Sequence, residues 1–246
     1  MAITENPDQR GTPVITAWSP PADAGPTIVR GVNLEHLSVD RALTQLYQPS
    51  RAKTIFPRGA KAEVYAVAAR TIGSCPLTYL EFGVHSGTSM HQISTLFRDP
   101  GATFVGFDSF EGLPEEWGTF KPGQFSTGGT APSLADSRVS FVKGWFQNSV
   151  PGFFQANKLN GPMLVHFDAD LYSSTLFLMT TLWHHVPDYY FLFDEFVPSE
   201  IVAMYDFARS YPVAFEFTAC TVDERDRPIQ IFGRLRNTVY QPALPG

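Results

Sequence analysis

The stretch Tyr79-Leu80-Glu81-Phe82-Gly83-Val84-His85-Ser86-Gly87-Thr88-Ser89 decides how the chain folds. A short apolar run beginning at Leu77 reaches a glycine, a second glycine follows four residues later, and Thr88–Phe97 then carries helical spacing. An apolar run of this length ended by glycine reads as a buried strand. The glycines permit a sharp turn and close approach of a ligand to the backbone. Thr88 or Ser86 is the expected cap of the helix, whose first N–H groups have no internal partner. The same alternation continues downstream. Thr103–Phe107, Val139–Val142, Met163–Phe167 and Tyr189–Phe193 read as strands, and Ser173–His185 and Ser199–Ser210 as helices, the former capped by Ser173 or Ser174. Ala214–Ala219 and Ile229–Leu235 close the chain as a hairpin, and Lys61–Ile72 is a helix upstream of the first strand. Short apolar strands alternating with helices predict an α/β fold, Rossmann-like, with a mostly parallel sheet covered on both faces.

Outside this region the pattern weakens. Residues 1–30 hold five prolines and little periodicity, and read as an arm. Residues 31–60 form a cap segment, with a short helical pattern (Leu34, Leu37, Ala42, Leu43, Leu46) ending near Pro49. Residues 61–246 are the main domain. Between the second and third strands, residues 109–138 carry five glycines and little helical signal, which predicts a functional lid or a mobile segment.

Of 246 residues, 43% are hydrophobic and 17% charged, enough to bury a sizeable core and to exclude a wholly disordered chain. The net charge is −6 without a basic run, so nucleic acid is not the expected partner. Cys75 and Cys220 are the two cysteines, which supports neither a disulfide framework nor a cysteine-based zinc site. The start, MAITENPDQRGTPV, lacks a signal peptide's apolar core, and the longest charge-free stretch, Leu171–Pro187, contains Ser, Thr and two His. A cytoplasmic location without a membrane partner is expected. A homo-oligomer is compatible with the arm.

A parallel sheet binds its ligands beyond the carboxyl ends of its strands. At the first strand end the spacing is Gly-x-x-x-Gly, with Glu81 before the first glycine. A carboxylate there repels a pyrophosphate and suits an amino group or a sulfonium, which favours S-adenosylmethionine over a dinucleotide. A tight turn without any ligand is the competing reading. Asp108 follows the second strand, where an acidic residue accepts ribose hydroxyls, or else caps a turn. Glu81 and Asp108 are expected to open on one cavity. Phe110 is placed to lie against an adenine or in the core. Asp168 and Asp170 follow the fourth strand, and Asp194 and Glu195 the fifth. Neighbouring strands lie about 4.8 Å apart, so these carboxylates converge, and mutual repulsion calls for a cation or shared protons. A hard divalent ion, most naturally Mg²⁺, fits Asp168, Asp194 and Glu195, while Asp170 caps a helix or orients the site.

With these residues in hand, the chain resembles the class I S-adenosylmethionine-dependent methyltransferases, and is similar to the macrocin and mycinamicin O-methyltransferase family. The stretches that carry the resemblance are YLEFGVHSGTS (79–89), FVGFDSFEGLPEEW (104–117), FVKGWFQNSVP (141–151), VHFDADLYSST (165–175) and FLFDEF (191–196). The resemblance implies a seven-stranded sheet with an antiparallel last strand. It implies cofactor contacts from Glu81, Phe82, Gly83, Ser86, Gly87, Thr88 and Ser89, and from Asp108 and Ser109 at the ribose. Gly144, Trp145 and Phe146 would border the adenine or methionine part, and Asp168 with the acidic pair would hold Mg²⁺. Family members often carry two Asp at that pair, where this chain has Asp194-Glu195.

Methyl transfer from a sulfonium is an in-line displacement that depends on orientation and desolvation. Mg²⁺ would orient a hydroxyl of a small-molecule acceptor, a natural product or sugar, and lower its pKa. Asp168, Asp170 and His85 are the candidate catalytic residues. His166, inside a strand, reads as a satisfied core histidine, and His184 and His185 as helix-end residues. A nicotinamide-dependent oxidoreductase is the first alternative, though the glycine spacing differs and no Tyr-x-x-x-Lys pair occurs. A non-catalytic binding module on the same fold is the second.

Overall fold

The computed structural model of the chain describes residues 35–159, 161–186 and 188–239. They belong to one compact unit. The expected arm, residues 1–30, lies outside the described residues.

The elements follow the sequence periods. Helix α1 is Glu35–Ala42, continued by a π turn to Tyr47 and a 3-10 turn to Ser50, and strand β1 is Thr54–Pro57. Helix α2, Lys61–Ile72, buries Val64, Tyr65, Val67 and Ala68 at three-to-four-residue spacing and ends on Gly73, whose φ is +79°. Then come β2 (Thr78–Phe82), α3 (Thr88–Leu96), β3 (Thr103–Asp108), β4 (Val139–Lys143), α4 (Phe146–Ala156), β5 (Met163–Phe167), α5 (Tyr172–Trp183), β6 (Asp188–Phe193), α6 (Ile201–Ser210), β7 (Val213–Val222) and β8 (Pro228–Asn237). All five residues of β2 and of β5 are buried, as continuous apolar strands at a sheet centre require.

The strands form one sheet in the order β1-β7-β8-β6-β5-β2-β3-β4. Strands β2 to β6 pair in parallel, and β8 runs antiparallel to both β6 and β7. The expected seven-stranded sheet with its reversed last strand is therefore present, with one strand more. β1, from the segment read as a cap, pairs in parallel with β7 at the edge. Helix α4 was also missing from the expected elements, because Pro151 sits inside it and breaks the usual helical signal.

Side chains of alternate strand positions point to opposite faces. Leu80, Phe82, Val105, Phe107, Val165 and Phe167 pack with α4, α5, α6 and α1. Leu77, Tyr79, Phe104, Leu164 and Leu192 pack with α2 and α3 on the other face. Ring stacks bind the first layer: Phe82–Phe107 at 4.9 Å and Phe167–Phe193 at 4.5 Å, each pair contributing about 0.5–1.5 kcal/mol beyond its area.

Both helix-cap expectations are corrected. Gly87, in the left-handed region at φ +77°, precedes α3, and neither Ser86 nor Thr88 caps it; their hydroxyls bond each other at 3.1 Å. Leu171 precedes α5, and Ser173 bonds the Glu115 carboxylate at 2.5 Å instead.

Candidate active site

The five strand ends that sequence periodicity aligned, those of β2 to β6, open on one cleft of about 270 Å³. Its floor begins at Gly83 (φ +94°), where a Cβ would stand 1.9 Å from the Asp168 carbonyl oxygen. Any side chain there would push β2 and β5 apart, so glycine is required. Asp108 ties the floor together. Its Oδ2 accepts the N–H groups of Val84 and His85, both at 2.9 Å, and its Oδ1 accepts that of Phe110 at 2.7 Å. Gly144, Trp145 and Phe146 form the wall after β4, and Asp168, Asp170, Ser174 and Glu195 form the acidic side.

Residues 109–138 roof the cleft through Leu113, Pro114, Trp117 and Phe125. The segment is closed by its own backbone bonds: the Leu113 N–H donates to the Gln124 carbonyl at 2.9 Å, and the Gly129 N–H to that of Phe110 at 2.8 Å. Trp117 stacks on Phe120 at 5.4 Å, and Phe125 meets the His85 ring edge-on at 6.3 Å. His85 itself sits at φ +49°, a sparsely populated conformation for a residue with a side chain.

Beneath the floor, on the α2–α3 face, runs a buried polar ladder. Ser89 donates to Glu81 Oε1, and the Tyr79 hydroxyl donates to Glu81 Oε2 at 2.9 Å. The same hydroxyl lies 2.7 Å from His166 Nδ1. His166 Nε2 has no hydrogen-bond partner and lies 3.8 Å from Asp194 Oδ1, too far for a hydrogen bond. Lys61 Nζ pairs with that same oxygen at 2.5 Å, and Tyr65 donates to it at 3.4 Å. Burial works to raise the Asp194 carboxyl, but His166 and Lys61 outweigh it and hold the group at about 2. The Lys61 pair is the stronger hold, since the His166 contact is long.

The other acids move the opposite way. Burial, with Asp194 beside it, drives Asp168 well above the usual carboxylate range. Asp170 is pushed up to about 7 by burial, then by Glu195 and Asp194. Burial and Asp194 raise Glu195, and Glu200 is fully buried with both carboxylate oxygens unpartnered, which raises it strongly. Five acids thus share one neighbourhood, in which the positive charge of Lys61 is set against Asp168, Asp194 and Glu195.

Of the residues singled out from the sequence, Gly83, His85, Asp108, Ser109, Gly144, Trp145, Phe146, Asp168, Asp170 and Glu195 line the cleft. Glu81 does not. The expectation that it opens on the same cavity as Asp108 is corrected: Glu81 stands opposite Gly106, two residues deeper in the sheet than Asp108, and its carboxylate is buried under α3 against Ser89. Phe82 lies in the aromatic core, Ser89 serves Glu81, and Ser86 and Gly87 in the turn and Thr88 at the start of α3 do not line the cleft. Phe110 is a core ring against Phe141. His166 is corrected from a satisfied histidine to a half-satisfied one. Ligand atoms of His166, Asp168 and Asp194 lie within 4.8 Å of one another, a cluster that does not include Glu195. His184 and His185 stay away, His185 stacking on Phe154 at 4.8 Å. Sequence reasoning missed Lys61, Tyr65 and Tyr79. The one available signal was spacing: Lys61 and Tyr65 are four apart on α2, and His166 and Asp168 two apart around a strand end.

A parallel sheet of this order with one reversed strand, carrying a cleft over a glycine turn and an acidic strand end, defines the class I methyltransferase fold. Residues 130–214 match the sequence profile of the macrocin O-methyltransferase family. That match spans 85 of the chain's 246 residues. Among solved structures, it is similar to the O-methyltransferase NovP, at 18% identity and a TM-score of 0.50 over 72% of this chain and 78% of that one. It is also similar to CalS11, a calicheamicin methyltransferase, at 19% identity and a TM-score of 0.52 over 84% of this chain and 94% of that one. These two likenesses are of fold. No curated protein sequence matches the chain. Among the described residues, no helix is long and apolar enough to cross a membrane.

Proposed function

We propose that the cleft binds S-adenosylmethionine along Gly83–His85, Asp108 and Gly144–Phe146, and that the methyl group passes to a hydroxyl of a small organic acceptor held under the lid. The observation that carries this reading is the meeting of the glycine turn, Asp108 and the acidic side in one cleft. The ribose hydroxyls would share Asp108, whose carboxylate already shapes the turn through three backbone N–H groups. Trp117 and Phe125 would cover the acceptor and exclude water. The acceptor oxygen forms its bond to the methyl carbon as the carbon–sulfur bond breaks. The sulfur keeps the electron pair as a neutral thioether, and the hydroxyl proton goes to a cleft base. Asp170 or His85, both of which line the cleft, would take it. O-methylation in preference to N-methylation rests on the macrocin family match.

The donor set fits a divalent cation. Asp168 and Asp194 are oxygen ligands within reach of each other, His166 presents an orphaned ring nitrogen, and the single lysine does not balance the surrounding carboxylates. Asp168 and Asp194 would hold Mg²⁺, with Glu195 at the cleft side. When bound, the ion supplies positive charge that orients the acceptor hydroxyl and lowers its pKa.

The test is transfer of labelled methyl from S-adenosylmethionine to catechol-type and sugar-type hydroxyl acceptors, together with titration by S-adenosylhomocysteine. Saturable binding and transfer to oxygen are expected. Heat and thermal shift with NAD, and none with S-adenosylhomocysteine, would overturn the assignment of the cleft.

A further inference from the structure

The acidic cluster contains its own cation. Lys61 is the first residue of α2, and its ammonium group reaches Asp194 Oδ1 at 2.5 Å while lying 5.5 Å from the centre of the Tyr65 ring one turn on. That oxygen also receives the Tyr65 hydroxyl at 3.4 Å and faces His166 Nε2 at 3.8 Å, so three groups converge on one oxygen of the carboxylate. We propose that Lys61 is a built-in counter-cation of this cluster, holding the position on Asp194 that a divalent ion needs and thereby weakening and gating ion binding. The inference rests on the reading of Asp168 and Asp194 as ion ligands.

Three observations support it. The ligand atoms of His166, Asp168 and Asp194 fit within 4.8 Å, so an ion among them would lie a few ångströms from the Lys61 ammonium, and two positive charges at that range repel. His166 Nε2 is fully buried and unpartnered, although it is aimed at Asp194. A buried ring nitrogen left so is costly, and it gains a partner when an ion takes the place of the lysine. Finally, the Lys61 side chain is 32% exposed, so its flexible stem has a path to solvent that buried His166 lacks. Ion entry would thus proceed by exchange: Lys61 leaves Asp194 for water, and the ion takes the freed oxygen.

The test uses the full chain and its Lys61→Met variant, which keeps the stem over Tyr65 and removes the charge. Mg²⁺ affinity is measured by calorimetry and Mn²⁺ affinity by electron paramagnetic resonance. Removal of a charge this close is expected to tighten both by roughly tenfold or more, and Lys61→Arg to leave them no tighter than in the parent chain. Urea unfolding of each variant establishes that it folds, and Lys61→Gln replaces Lys61→Met if that one does not. Equal or weaker ion binding in the folded, uncharged variant overturns the proposal while leaving the ion site standing. Absence of ion binding in every chain overturns both.

Discussion

Arg138 shows how much one residue can hold. Its guanidinium donates to the carbonyls of Ser94, Phe97 and Asp99 at 2.7–2.9 Å, pairs with Asp136 at 2.6 Å, and lies 4.9 Å from the Phe104 ring centre. It thereby anchors the end of α3 and the start of β4 to each other. Lysine cannot reproduce this fork, so Arg138→Lys is expected to lower the unfolding free energy by about 1.5–3 kcal/mol, read from urea denaturation. The pair also has a pH signature. The Arg138 guanidinium holds the Asp136 carboxyl below the usual range. Folding therefore gains from this pair at pH above the unfolded value of about 3.9, and that gain disappears as pH falls through the lower folded value. Stability of the parent chain should drop on acidification below about pH 4 by more than that of Asp136→Asn, which lacks the charge. Equal acid sensitivity in the two would refute this. At the cleft, Asp168→Asn, which removes an ion ligand, is expected to reduce methyl transfer at least about a hundredfold while S-adenosylhomocysteine still binds, a split that separates chemistry from folding.

At the scale of elements, the turn between β2 and α3 and the lid decide what the cleft admits. Gly83→Ala would drive a Cβ onto the Asp168 carbonyl at a φ of +94°, so loss of both cofactor binding and soluble protein is expected. Gly112→Ala should act on the lid alone, since its Cβ would fall 2.3 Å from the Gln124 carbonyl oxygen, at the lid's own closure. The expected result is faster proteolysis within 109–138, a raised KM for the acceptor, and little change in S-adenosylhomocysteine affinity. An unchanged digestion pattern would show that the lid does not depend on this closure. These elements were legible in the sequence to different degrees. β2 and β5 were plain because they are apolar at every position, and α2 because its buried residues repeat at helical spacing. β1 and α4 were not. β1 is a four-residue edge strand whose pattern is set by β7 beside it, and α4 contains a proline that local propensity treats as a stop.

For the whole molecule, the sheet gathers five strand ends into one cavity, so a ligand there should brace the entire fold. S-adenosylhomocysteine at ~100 times its Kd adds about 2.7 kcal/mol to the native state, which for a domain of this size raises Tm by roughly 5–10 °C. A shift near zero at saturation would remove the cleft as the binding site. The mostly parallel sheet and the presence of carboxylates at its strand ends followed from the amino-acid sequence alone, because short apolar runs alternating with helices need a sheet covered on both faces and because glycine and acidic residues at strand ends are visible as text. Which way those carboxylates face was settled by tertiary structure. Glu81 turned under α3, Asp194 met a lysine from a helix 133 positions earlier in the chain, and His166 was left with an orphaned nitrogen. Side-chain direction at a strand end depends on parity, on strand register and on what the opposite layer offers. Those are relations between segments distant in sequence, which no single stretch of residues encodes.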